Sequence, residues 1–205
     1  MIALFFEVLP KPSQEATYLQ MAAALKPALE ASGGLLFLDR SRSFARPGWV
    51  LSHQFWHDEA AMVRWRANGA HYRVQACGRS DILADYRLRV GQVVAWAEGG
   101  GVEMAEVPSH AAYNDPAVTL QRYVISIVTA EPLEETGGET FASFYDSALS
   151  VQVVPVTNLA FGQAMLGRAA RNSATRHARL CLISRDYGMF DRREAPQYFE
   201  PVSLA

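Results

Sequence analysis

Two periods of apolar residues alternate along the first hundred positions of the chain. Residues 1–9 are apolar almost throughout, rich in Phe and Ile, and stop at Pro10 and Pro12, which predicts a strand. Ser13 is then expected to cap a helix over 14–32, where Tyr18, Ala22, Leu25 and Leu29 recur at helical spacing and lay one stripe on a single face. Pro27 should kink that helix, and Gly33-Gly34 should end it. Strands over 35–43 and 49–56 follow, joined by a turn at Arg46-Pro47-Gly48 that suits an antiparallel pair. Asp58 predicts the N-cap of a second helix with Met62, Trp65 and Gly69 on its inner face, and Asn68-Gly69 should break it before a short segment over 71–77. A strand over 86–96 completes the order strand, helix, strand, strand, helix, strand. That order is ferredoxin-like: an antiparallel sheet with helices on one side.

Gly99-Gly100-Gly101 opens a polar, proline-containing stretch without periodicity, which reads as a linker over 97–119. The pattern then restarts. Residues 123–130 alternate β-branched positions and end near Pro132, 139–149 is expected to be the matching helix, and 151–156 and 159–165 are expected strands. Residues 179–185 (RLCLISR) resemble 87–93 (RLRVGQV) as a closing strand. Residues 167–176 are too short and polar to replace the helix that carries Trp65, so the second half, 120–205, is expected to be a degenerate copy of the first, 1–96. A sheet with helices on one face leaves its other face apolar, and a second sheet can cover it.

Composition narrows the partners. Half of the 205 residues are hydrophobic, ample for a core. Nineteen Lys and Arg against 21 Asp and Glu give a net charge of -2, so no global field attracts a nucleic acid. No stretch approaches the ~18 apolar residues of a membrane span, and MIALFFEVLPKP lacks a basic n-region and a small-residue cleavage site, which together read as cytoplasmic. Cys77 and Cys181 lie far apart without CxxC spacing, suggesting neither a disulfide nor a zinc site. No GxGxxG, P-loop or GxSxG occurs. His53 and His57 stand four apart on a strand, which separates them by about 13 Å, too far for one metal ion.

Residues 53–94 place an aromatic-Trp pair before an acidic helix start, then Trp65-Arg66, His71, Gly78-Arg79 and Asp85-Tyr86-Arg87. As a set these resemble the antibiotic biosynthesis monooxygenase family, and the likeness extends back through FFEVLP over about the first ninety-five residues. The tail over 185–202 resembles the end of tandem members of the same superfamily. The resemblance implies an α+β fold in which two ferredoxin-like units of one chain form an intrachain pseudo-dimeric α/β barrel, with a homodimer of such chains as a further option. It also implies oxygenases of aromatic polyketides that use neither metal nor flavin, or haem-degrading enzymes. A Trp on the second helix lines the pocket in those enzymes, a role carried here to Trp65.

The candidate residues each have a plain alternative. His53 lies in phase with Trp49, Leu51 and Phe55, so it is either a proton acceptor in an apolar pocket or a hydrogen-bonded core residue. His71 lies six residues beyond Trp65, about 240° round a continuous helix, and the two share a cavity only if Asn68-Gly69 turns the chain. Haem-degrading relatives carry their His farther beyond the Trp, which weakens an axial role for His71. Arg66, Arg87 and Arg89 could meet an oxyanion or simply flank the sheet, and Asn68 could donate to a substrate carbonyl or end its helix. The expected function is a cofactor-independent, metal-free monooxygenase that brings O2 to a small aromatic, such as a polyketide-type phenol. His53, His71 and Arg87 would be catalytic, and Trp65, Phe55, Asn68 and Arg66 would bind substrate. A non-catalytic ligand-binding or structural barrel is the alternative, and haem binding is the third reading.

Overall fold

The computed structural model describes residues 1–106, 122–134, 136–196 and 199–200. In the first half, β1 (Ile2–Pro10) leads to α1 (Glu15–Ala24) and α2 (Lys26–Ala31), then to the hairpin of β2 (Leu35–Ser43) and β3 (Val50–Trp56). Next come α3 (Glu59–Arg66), α4 (Gly69–Cys77), a π-helical turn (Gly78–Ile82), and the long β4 (Leu83–Glu98) with β5 (Gly101–Met104) folded back on it. The second half comprises β6 (Arg122–Thr129), β7 (Glu139–Ser143), β8 (Ser150–Val156), α5 (Leu159–Arg171) and β9 (Thr175–Gly188).

Within each half the antiparallel neighbours follow one scheme: β2-β3-β1-β4 in the first and β7-β8-β6-β9 in the second. Two seams join the halves. β4 pairs with β9 from Arg87↔Gly188 to Glu98↔His177, and β2 pairs with β7 from Ser41↔Ser143 to Ser43↔Phe141. The result is a closed eight-stranded antiparallel barrel with β5 appended outside the ring, so the ring itself has no free edge. The shorter seam carries a reciprocal pair of backbone bonds, Phe44 N–H to the Thr140 carbonyl at 3.0 Å and Phe144 N–H to the Arg40 carbonyl at 2.8 Å. This exchange marks a pseudo-twofold axis between the halves.

Both faces of the barrel wall are covered, which is why β3 is buried at every position. Phe5, Leu51, Phe55, Val124, Phe141, Val151 and Cys181 fill the interior. Outside, α5 packs Met165, Leu166 and Ala169 over Ile125, Val154, Leu180 and Leu182. Gly162 makes that approach possible, because a Cβ there would stand 2.6 Å from Leu180 Cδ1. Asn158 starts α5 by accepting the Phe161 N–H at 2.9 Å.

Several sequence expectations are corrected. Ser13 does not cap α1. It adopts the left-handed region, φ 66°, and Gln14 precedes the helix without a side-chain bond. Residues 139–149 form β7 and a turn rather than a helix, and 159–165 begin α5 rather than a strand. The second half therefore keeps the helix that matches the Trp-bearing one, while among the described residues no helix stands between β6 and β7 in place of α1 and α2. The expected linker over 97–119 begins inside β4 and contains β5, and its part over 107–119 lies outside the described residues. Among the described residues no helix is long and apolar enough to cross a membrane.

Candidate active site

A cavity of about 200 Å³ lies between the helices of the first half and the outer face of its sheet. Alternation along the strands decides which side chains reach it: Leu4 and Phe6 from β1, Ser52 and Gln54 from β3, and Tyr86, Leu88 and Val90 from β4. Tyr18, Leu25 and Leu29 roof it from α1, α2 and their junction, the stripe expected from sequence. Trp65 and His71 form one wall, and Tyr187, Arg192 and Phe199, from β9 and the strap after it, form another. The floor's polar groups satisfy one another, since Gln54 donates to Ser52 Oγ at 3.1 Å and accepts from Trp56 Nε1 at 3.0 Å.

The Trp65–His71 wall depends on the break between its two helices. Asp58 caps α3 by accepting the Ala61 N–H at 2.8 Å. Asn68 then accepts from the backbone N–H groups of Ala70 and His71, at 3.0 and 3.3 Å, and so starts α4 in a new direction. The turn brings the His71 ring flat onto Trp65, with centroids 4.3 Å apart and planes inclined by 14°. His71 Nδ1 lies 3.1 Å from the Trp65 carbonyl oxygen. Gln75 Nε2 also lies 3.2 Å from Nδ1; in the tautomer that donates to the Trp65 carbonyl, which can only accept, Nδ1 carries the proton and Nε2 keeps its lone pair. Burial pushes the His71 pKa down to about 4, against a smaller upward pull from the Trp65 carbonyl, so the ring is neutral at pH 7.

At the opposite end the Tyr86 hydroxyl accepts from Arg79 and from Arg192 Nη1, the latter at 2.6 Å. Arg192 also reaches the Phe199 and Pro196 carbonyls, and Arg79 Nη2 reaches the Glu200 carbonyl at 2.5 Å, which ties the C-terminal strap across the cavity. Phe199 stacks on Tyr72 of α4 with centroids 5.5 Å apart. Arg185 is paired with Glu59. Sequence reasoning had not assigned a site role to Tyr86, Arg79 or Arg192. The signal for Tyr86 was its shared parity with Leu88 and Val90.

Of the residues singled out from sequence, the cavity unites Trp65, His71 and Arg66. His53 and Phe55 are elsewhere, because their parity points them into the barrel. There His53 stacks on Phe5 at 4.9 Å and meets Phe55 edge-on at 4.6 Å, and among the described residues neither ring nitrogen has a hydrogen-bond partner. Burial, with His177 and Arg179 adding to it, holds its pKa well below the ordinary value. Arg87 pairs twice with Asp186, at 2.9 and 2.6 Å, beside a separate recess that Arg89 and Arg122 share. Asn68 spends its side-chain oxygen on the cap of α4. Among the described residues no three His, Cys, Asp or Glu side chains gather as metal ligands would.

The fold is thus a closed α/β barrel whose first half roofs a cavity with its helices, and sequence relationships place it in a family. Residues 1–76 match the antibiotic biosynthesis monooxygenase family. Over 215 aligned residues the chain is 32% identical to a protein from Pyricularia oryzae named jasmonate monooxygenase ABM, covering 99% of this chain and 100% of that one. The chain belongs to the antibiotic biosynthesis monooxygenase family. Among solved structures, a monooxygenase from Fusobacterium nucleatum covers 90% of this chain and 93% of its own at 9% identity and a TM-score of 0.42. An antibiotic biosynthesis monooxygenase from Deinococcus radiodurans covers 53% and 99% at 16% identity and a TM-score of 0.41.

Proposed function

We propose that this chain is a monooxygenase that draws on its own residues and no bound cofactor, and that one small, largely apolar ring compound binds per chain in the cavity of the first half. The observation that carries the reading is the neutral His71, fixed by the Trp65 carbonyl so that Nε2 is a free base beside an indole that can stack on a ring. A ring with an acidic proton suits it: a phenol, as the sequence suggested, or a cyclic ketone with acidic α-hydrogens, such as the jasmonate named for the Pyricularia relative. Full-length similarity to that relative favours the ketone.

His71 would take the proton, and its pKa would rise toward neutrality as an anion forms next to it. The substrate carbanion would then give its electrons to O2 in a space from which apolar walls exclude water. For an activated methylene the balance is CH2 plus O2 to C=O plus H2O, with all electrons from the substrate. Hydroxylation of an unactivated C–H consumes two further electrons and two protons, so the assay carries an arm with ascorbate or NADPH.

The test is oxygen uptake and mass-spectrometric incorporation of labelled O2 into jasmonic acid and into 1-naphthol, with and without reductant. His71→Gln should keep the fold and lose most of the turnover. Turnover of His71→Gln at the wild-type rate would remove the base from the mechanism, and saturable binding of both compounds with no labelled product in any arm would favour a non-catalytic ligand-binding barrel. A Soret band on adding haem, abolished in His71→Gln, would favour the haem reading.

A further inference from the structure

Charge is unevenly neutralised around the cavity. Arg185 faces the Glu59 carboxylate, yet Arg79 and Arg192 donate only to neutral oxygens: the Tyr86 hydroxyl and the carbonyls of Pro196, Phe199 and Glu200. Among the described residues neither has a carboxylate partner. Two guanidinium groups thus converge on one phenolic oxygen, and each also lies over an aromatic ring, Arg79 over Phe199 at 5.2 Å and Arg192 over Tyr187 at 5.4 Å. Like charges brought together at the edge of a low-dielectric cavity repel each other, and an anion placed between them relieves that repulsion. The Tyr86 oxygen already accepts twice, so its own proton remains to be donated. Three donors therefore meet at one end of a cavity whose remaining floor is Leu4, Phe6, Leu88 and Val90, with Ser52 and Gln54 hydrogen-bonded to each other between them.

From this arrangement we infer that the substrate is a monocarboxylic acid, held by its carboxylate between Arg79, Arg192 and the Tyr86 hydroxyl while its apolar body extends over the sheet toward Trp65 and His71. The inference rests on the monooxygenase reading of the same cavity and adds the part of the molecule that does not react. The guanidinium fork matches a carboxylate in two-pronged fashion, and a neutral ester offers it weaker acceptors and an extra methyl group. Because Arg192 and Arg79 also tie down the strap, a bound acid would compete for, or share, donors now given to strap carbonyls. Charge recognition here fixes which end of the substrate enters first, and so which carbon faces His71.

Titration of Trp fluorescence in the full chain, with jasmonic acid and methyl jasmonate as probes, tests this. The acid should bind at least tenfold more tightly than the ester at low salt, and only the acid should weaken as NaCl is raised. Arg79→Gln and Arg192→Gln should each erase most of that preference while leaving ester affinity within about twofold. Arg79→Lys, which keeps the charge without the fork, should retain part of it, and guards against reading a loosened strap as lost recognition. Arg168→Gln, on α5 far from the cavity, should behave as wild type. Equal binding of acid and ester by the wild-type chain, or a preference that survives both Gln variants, overturns the carboxylate site and leaves the monooxygenase reading standing if oxygen is still consumed. Failure of the wild-type chain to bind either probe overturns both.

Discussion

Replacing His53 by Phe should remove a defined part of the protein's sensitivity to acid. The ring is fully enclosed between Phe5 and Phe55, neither nitrogen has a partner among the described residues, and its pKa is held well below 6.5. A histidine depressed in the folded state stays neutral there while the unfolded chain takes up a proton, so stability is lost as pH falls through the unfolded pKa of about 6.5. Between pH 7.5 and 5.0 this amounts to about 2 kcal/mol, whatever the folded value, provided it lies well below 5. His177, pushed down to about 4 mainly by burial, adds a comparable loss over the same window. Urea unfolding at the two pH values, for wild type and His53→Phe, isolates the first contribution, because overpacking by the larger ring costs the same at both. A pH-dependent loss that is unchanged in the variant would mean that His53 is protonated or solvated in the folded protein, contrary to its enclosed setting.

Trp65→Ala should destabilise the chain by about 3–5 kcal/mol through the space it leaves beside Leu29, Trp56 and Met62, whereas Trp65→Phe should keep the fold and change ligand affinity; thermal melts and fluorescence separate the two. Glu7 is buried and bridges Arg89 of β4 and Arg46 of the β2–β3 turn, so Glu7→Gln should cost about 3–5 kcal/mol in urea unfolding, and a loss under 1 kcal/mol would show the arginines satisfied elsewhere. If residues 1–96 and 120–205 are the two units suggested by the sequence, the fragment 1–96 should self-associate in the ultracentrifuge, because β2 and β4 lose their seam partners and the interior face bearing Phe5, Leu51 and Phe55 is uncovered. A soluble, folded monomer of that fragment would count against a shared interior.

The first half was legible because its strands end at or near prolines and glycines and two of its four helices begin at Asp58 and Asn68, local signals that held although the Ser13 cap did not. The second half was harder. LAFGQAM reads as a short apolar run of either type, and only its continuation to Ala169, with Gly162, Met165, Leu166 and Ala169 buried, gives the helical period. The site was half legible for a different reason. Parity correctly grouped His53 with Leu51 and Phe55, but in a closed barrel covered by helices both wall faces are apolar, so alternation does not say which face holds the cavity. Arg79 and Arg192 lie 113 positions apart and meet at Tyr86 and the strap, a meeting that no local pattern carries.

Because both seams of the barrel lie within one chain, closing the ring is a first-order event. A barrel assembled from two separate chains opens on dilution, and its melting temperature rises with concentration as mass action requires. Here the unfolding midpoint should be independent of protein concentration, and the cavity of the first half keeps its supporting wall at any level of expression. The cost falls on folding: β4 meets β9 about ninety positions later in the chain, so the ring closes through contacts of high sequence separation, which are slow to form and leave the seam strands exposed in the meantime.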